Sequence, residues 1–408
     1  MSLITLAWSY LKARPLTTAL NVLLLALGVS VITVLILFTN QLEEKVTANS
    51  KGVDLVVGAK GSPMQLILCS VFHVDFPTGN INLKEAERIS RHPMVKKAIP
   101  LALGDSYMGF RIVGTRRDYA TLYNAELAEG AWWDNHLEVT VGATAAQQLK
   151  LKVGSELVSA HGLTENGDEH EAHHYKVVGI LKPSHTVLDQ LLLTNVQSIW
   201  LAHDLAAGDT TGVIASTLVP GHPAGDSTRE VTSLLIQYRN PLAVIQLPRF
   251  INGQSNLQAA APAYETARLF SILGVGMDVL RAFAIVLILI SGLSIFIVLY
   301  NSMKERRYDL AIMRSMGASR TKLFVAVILE GTWLTALGSL FGLMLGHGVL
   351  YAFTLAVTGS AATGVQAGVY YAAETWLLGG SLALGILCSL LPALEAYRTD
   401  IHEVLAGN

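Results

Sequence analysis

Four blocks of apolar residues dominate the pattern of the chain. The first, Leu16 to Phe38, carries no charge and is long enough, at about 23 residues, to cross a hydrocarbon core of about 30 Å as a helix. It is too long for the apolar part of a secretory signal. Thr39-Asn40-Gln41-Leu42-Glu43-Glu44 follows it instead of a small-residue cleavage site, so it is expected to be a retained anchor. The second, Val279 to Tyr300, has Arg281 near one end, where a long side chain can reach the interface. The third, Leu323 to about Thr354, is interrupted by Glu330 and rich in glycine. Gly338, Gly342 and Gly346 line one helix face there, which permits close helix approach, within one subunit or between two. The fourth runs from Trp376 to about Leu394, with Pro392 near its end.

Basic residues in the short flanks orient these spans. Lys12 and Arg14 precede the first. Lys304, Arg306, Arg307, Arg314, Arg320 and Lys322 lie between the second and third, and Arg398 follows the fourth. The stretch between the third and fourth, about Ala356 to Ala373, has no Lys or Arg. Both termini and the Lys304–Lys322 loop are therefore expected in the cytoplasm. The segment between the first two spans is expected on the other side.

That segment, residues 41–265, reads as a mixed α/β domain inserted between the spans. Strands are expected at Val53–Val57, Phe110–Val113, Leu137–Val141 and Tyr175–Leu181. Helices are expected at Leu83–Arg91 behind an Asn82 cap, at Thr144–Leu149 and at Val196–Ala202. Tyr264–Met277 reads as an amphipathic helix leading into the second span, a stalk able to carry motion. Three parts result: 1–40 with an amphipathic helix and the first span, the domain 41–265, and 266–408 with the stalk, three spans and the cytoplasmic loop.

Composition agrees with two materials in one chain. Only 15% of the 408 residues are charged and mean hydropathy is +0.44, yet the inserted segment has ordinary polarity and holds ten of the twelve histidines. Net charge is −2, which gives no basic field for nucleic acid. Cys69 and Cys388 are too far apart in context to form a disulfide framework or a cysteine zinc site.

Two tracts in the inserted segment carry candidate chemistry. His161, His170, His173 and His174 lie in a polar run between two strand-like pieces. Imidazoles and carboxylates together suit zinc, while a solvated hairpin loop is the alternative. Met64–Val74 is apolar and follows a glycine-flanked turn. It is either a buried strand or an exposed contact, through Met64, Leu66, Ile67, Leu68 and Phe72, for a lipidic or protein partner. No catalytic residue emerges: there is no phosphate loop ending in Lys-Ser/Thr, no G-x-S-x-G elbow and no H-E-x-x-H pair. Glu330 and His347 are intramembrane ionisable groups, but at about 25 Å apart along a helix they cannot share one site.

The cytoplasmic loop is the most specific stretch. Glu305, Arg306, Leu310, Met313, Arg314, Met316, Gly317, Ala318 and Ser319 resemble the E-R-x-x-x-I-x-x-L-R-x-x-G-A-S/T loop of the MacB/LolE/FtsX (type VII) group of ABC transporter permeases. Pro392–Leu405 resembles that group's ending, with Ile401-His402 where a proline is usual. Trp8–Leu20 resembles its opening amphipathic helix, and Val141–Gly154 is similar to a strand-helix-turn of its periplasmic domain.

The resemblance implies a multi-pass inner-membrane permease with four spans and a periplasmic α/β domain. It would act as a homodimer with two cytoplasmic ATPase subunits that hold ATP and magnesium. The helices would relay ATP-driven motion outward (mechanotransmission). Glu305, Arg306, Arg307, Leu310, Arg314, Gly317, Ala318 and Ser319 would then couple to the ATPase. The cargo would be a small molecule, peptide, lipoprotein or metal-linked species, with a periplasmic adaptor, carrier or lipoprotein as further partner. The alternatives are a non-transporting FtsX-like regulator and a zinc-responsive membrane component.

Overall fold

The computed structural model describes residues 3–161, 169–206, 229–357 and 366–398. In chain order the elements are α1 (Leu3–Ala13), α2 (Pro15–Ser50), β1 (Leu55–Ala59), α3 (Pro63–Ser70), β2 (Ile81–Asn82), α4 (Leu83–Ser90), β3 (Val95–Tyr107) and β4 (Phe110–Thr115). There follow α5 (Arg117–Leu122), β5 (Leu127–Gly130), β6 (Glu138–Val141), α6 (Ala143–Gln148), β7 (Glu156–His161), β8 (Glu169–Leu181), β9 (Leu192–Asn195) and α7 (Val196–Ala206). The last are β10 (Glu230–Val231), β11 (Ser233–Tyr238), α8 (Ala243–Gln254), β12 (Leu257–Ala260), α9 (Pro262–Glu305), α10 (Arg307–Ser315), α11 (Arg320–Val357) and α12 (Ala372–Arg398). The chain divides into two compact bodies. Residues 1–42, 272–357 and 365–408 form one, and 43–271 the core of the other.

The helical body contains the four apolar blocks. Helices α2, α9, α11 and α12 are each long and apolar enough to cross a membrane. Their outward faces are apolar as well: Leu16, Leu20, Leu23 and Leu27 on α2 and Val279, Phe283, Leu289 and Leu293 on α9 are exposed. Such faces suit a hydrocarbon solvent, in which a helix satisfies its own backbone. Pro15 opens α2 at the first helical position, where its missing N–H costs nothing. The glycine stripe of α11 packs inside the subunit. A Cβ on Gly338 would sit 2.8 Å from Leu25, one on Gly342 would sit 2.7 Å from Val29, and one on Gly346 would sit 2.8 Å from Thr33. All three neighbours belong to α2, so the small residues let α2 and α11 approach backbone to backbone.

The second body is the α/β domain. Its main sheet runs β12-β1-β11-β3-β4-β9-β6-β8-β5, and β7 pairs with both β3 and β8. Strands β3, β4, β9, β6, β8 and β7 therefore close a ring. The long β3 serves both parts: Val95–Leu101 pairs with β11, and Ala102–Tyr107 pairs with β4. Pairing is antiparallel except for β4–β9 and β6–β8. Side chains alternate between two cores. Ile112, Leu192 and Leu234 enter one, and Val113, Leu193 and Leu235 the other. Both faces of the sheet are covered, which is why β4 and β9 read as unbroken apolar runs.

The expected α4 is present, and its Asn82 cap accepts a hydrogen bond from the Lys84 N–H at 2.9 Å. One expectation is overturned. The start of Met64–Val74 is not a strand but the helix α3. Pro63 takes its first turn, and the Ser62 hydroxyl accepts from the Gln65 N–H. A Ser-Pro pair is a helix-start signal, and here it outranks the apolar run behind it.

Candidate functional site

The most specific stretch of the sequence folds into a hinge and a short amphipathic helix. Helix α9 ends at Glu305, and Arg306 leaves helical geometry at φ −96°, ψ 9°, before α10 begins. Helix α10 buries Leu310 and Ala311 and half-buries Met313. Met303, Leu323, Val327, Ala393 and Ala396 form the apolar cluster beneath. Arg307, Tyr308 and Asp309 are exposed on the other side.

Its far end is a formal helix stop. The Ala318 N–H donates to the Met313 carbonyl and the Gly317 N–H to the Arg314 carbonyl, both at 3.0 Å. Gly317 stands at φ +99°, the left-handed position that this Schellman arrangement requires. Ser319 then starts α11, its hydroxyl accepting from the Lys322 N–H at 3.3 Å. Gly317-Ala318-Ser319 is thus a stop-and-restart between two helices.

The charged residues of the motif divide by direction. The Arg306 guanidinium turns inward. It stacks on the Tyr10 ring of α1 at 3.8 Å and reaches the Glu330 carboxylate of α11 at 3.4 Å. Glu305 pairs with Arg14, in the break between α1 and α2. Trp8 of α1 lies against Trp333 of α11, with ring centroids 5.7 Å apart. The hinge is therefore tied to the opening amphipathic helix and the third apolar helix at once. Burial pushes the Tyr10 phenol up, which keeps it a neutral ring beneath the guanidinium. Of the expected coupling residues, Arg306 and Leu310 build the helix's seat. Gly317 and Ser319 end and restart helices, Arg307 is free to face a partner, and Arg314 is half-buried.

The other two tracts are placed differently. His161 lies at the end of β7, and His170, His173 and His174 lie in β8, so these four residues belong to strands and not to the loop. His174 is exposed and stands opposite Val158. Residues 162–168 and the side chains of His161, His170 and His173 lie outside the described residues, among which no group of three metal-type ligands occurs. In α3, Leu66 and Ile67 are fully packed into the core and Met64 and Leu68 are half-buried, as is Phe72 just beyond the helix.

A further polar cluster surrounds His347, which the sequence marked as an intramembrane ionisable group without its partners. His347 of α11 contacts the Ala367 carbonyl through Nδ1 at 2.6 Å and the Glu374 carboxylate of α12 through Nε2 at 2.9 Å. Nearby, the Gln41 side chain of α2 clamps the Gln366 backbone. Its Nε2 donates to the carbonyl at 2.9 Å and its Oε1 accepts from the N–H at 2.7 Å. Three apolar-helix residues of unlike type, far apart in sequence, leave no spacing signal. The polarity of Gln41, His347 and Glu374 inside or beside apolar blocks was the signal available.

Residues 18–240, more than half of the chain, match the family described as MacB-like periplasmic core domain. The chain belongs to this family. Residues 281–401 of this MacB-like permease also match the FtsX-like permease C-terminal family, so the hinge, α10 and the last two apolar helices lie in that part. Similar proteins include the pyoverdine export ATP-binding/permease protein PvdT of Pseudomonas syringae pv. syringae, 22% identical over 97% of this chain and 57% of its own length. A second is the uncharacterized ABC transporter permease YknZ of Bacillus subtilis, 28% identical over 29% of this chain and 28% of its own. A third is the macrolide export ATP-binding/permease protein MacB of Wolinella succinogenes, 24% identical over 45% of this chain and 26% of its own. The chain thus spans no more than about three-fifths of these relatives. Among solved structures, the periplasmic region of MacB from Actinobacillus actinomycetemcomitans covers 55% of this chain and 97% of its own at 9% identity and TM-score 0.33. The extracellular domain of YknZ covers 51% of this chain and 98% of its own at 12% identity and TM-score 0.29.

Proposed function

We propose that this permease takes up the motion of a cytoplasmic ATP-hydrolysing partner through α10 and relays it along its apolar helices to the α/β domain, in support of export. The carrying observation is the two-faced α10. A short helix set off by a break at Arg306 and a glycine stop, seated by Leu310 and Ala311, presents Arg307, Tyr308 and Asp309 outward. Such a helix can fit a partner's groove and pass force into its seat. The relatives named ATP-binding/permease proteins for macrolide or pyoverdine export support an ABC setting. The sequence itself has no phosphate-binding loop. The same proposal places both termini and α10 in the cytoplasm, the domain in the periplasm, and two copies of the chain side by side in the inner membrane.

The test is ATPase activity that co-purifies with the tagged full chain from its native membrane. Tyr308→Ala combined with Asp309→Arg is expected to remove most of it while leaving the melting temperature unchanged. Full retention of the activity overturns the proposal.

A further inference from the structure

The segment that leads into α12 is pinned by a histidine whose two ring nitrogens both face oxygen. Nδ1 faces the Ala367 carbonyl, which can only accept, and Nε2 faces the Glu374 carboxylate. A neutral imidazole has one N–H and can serve only one of them. Glu374 also caps its own helix. It is the third residue of α12, its Oε1 accepts from the Tyr371 N–H at 3.0 Å, and it is fully buried. With Oε1 accepting from the Tyr371 N–H and Oε2 facing Nε2, both carboxylate oxygens stand as acceptors, and the hydrogen between the side chains is placed on the histidine.

We propose that His347, Glu374 and the Ala367 carbonyl form a clasp that holds the segment leading into α12, at Gln366 and Ala367, only while it carries one bound proton. The pair would be imidazolium and carboxylate. Among the described residues, Glu374 is the ionisable side chain that acts on the ring, α2 contributes the neutral amide of Gln41 at Gln366, and Ala367 contributes its backbone carbonyl. The sign is fixed by the count of hydrogens. Raising the pH removes the Nε2 hydrogen, a lone pair then faces a carboxylate, and one anchor of the segment is lost. The Gln41 clamp carries no proton and persists. The proposal is independent of any ATPase partner. It bears on the compartment only through the topology above, which makes the periplasm the source of the proton.

The test uses the full chain in lipid nanodiscs, where both faces meet the buffer. Cys388 is replaced by alanine, and a spin label is placed at Gly368, where an added side chain meets no atom within 4 Å. Cys69 is fully buried and stays unlabelled. Between about pH 5.5 and about pH 8.5, the range in which imidazole titrates, label mobility is expected to rise several-fold in the parent chain. His347→Gln should abolish the pH dependence. Glu374→Gln should reverse it, because its amide can donate to a neutral Nε2 while its oxygen still accepts from Tyr371. A flat response in the parent chain, or the same transition in His347→Gln, overturns the clasp.

Discussion

Arg306 and Glu330 meet at 3.4 Å although they stand twenty-four residues apart, one at the helix break and one in the third apolar block. Both side chains are nearly buried, and Tyr10 closes the guanidinium from the other side. Removing one partner strands the other's charge, which costs about 3–5 kcal/mol for a buried pair. Arg306→Ala is therefore expected to lower the melting temperature of the purified protein clearly, and Arg307→Ala hardly at all. Equal effects would mean that Arg306 does not seat the hinge.

The glycines of α11 give a second contrast. A Cβ at Gly342 would press on Val29 and the Ala26 carbonyl at 2.7 and 2.8 Å, whereas at Gly348 it meets nothing within 4 Å. Gly342→Ala should destabilise the protein. Gly348→Ala should be neutral or stabilise it by up to about 1 kcal/mol through helix propensity. Thermal unfolding in one detergent decides between them.

Gly317 depends on backbone conformation instead of space. Its φ of +99° is costly for a side chain, although no atom lies within 4 Å. Gly317→Val is expected to weaken the α10 stop by about 1 kcal/mol or more, and Gly317→Asn by less. Loss of co-purified ATPase activity in Gly317→Val, with melting lowered only slightly, is the expected pattern.

In the α/β domain, His73 is buried, its Nε2 lies 2.8 Å from the Tyr119 hydroxyl, and burial holds its pKa down to about 3. The unfolded chain binds a proton near pH 6.5 and the folded chain does not until about pH 3. This contribution to stability is complete above the unfolded value and is lost as pH falls below it. Between about pH 6.5 and about pH 5 the loss is about 2 kcal/mol. His73→Asn, which suits the positive φ of 56°, should melt with a shallower acid dependence over that range. Unchanged acid dependence would remove His73 as its cause.

Sequence pattern gave a good account of elements whose apolar period is undisturbed. The four long helices, Asn82 as a cap, and the strands around Val113, Val141 and Val177 follow from it. It was silent on β3, because Pro100 and Gly104 break the pattern that β11 and β4 restore through pairing. It misplaced α3 because a run buried on most sides has no readable period. For the candidate site, the motif was legible but the direction of each side chain was not. Arg306 and Arg307 are adjacent cations in sequence, and only the packing of α1 and α11 makes one a seat and the other a surface. The partner of His347 was out of reach for a similar reason. Glu374 comes from the next helix, and no spacing rule connects the two.

Strands β1 and β12 run antiparallel through four paired positions, Val56–Ala59 against Ala260–Leu257. Strand β1 follows α2 and β12 leads into α9, so both long helices enter the domain at the same end of one ladder. If one helix advanced along its axis while the other stayed, every rung between the strands would be strained together. A ladder loaded in this way yields all at once or not at all. Under the proposed relay, a ladder of this kind would favour motion shared by the two helices over motion of one alone.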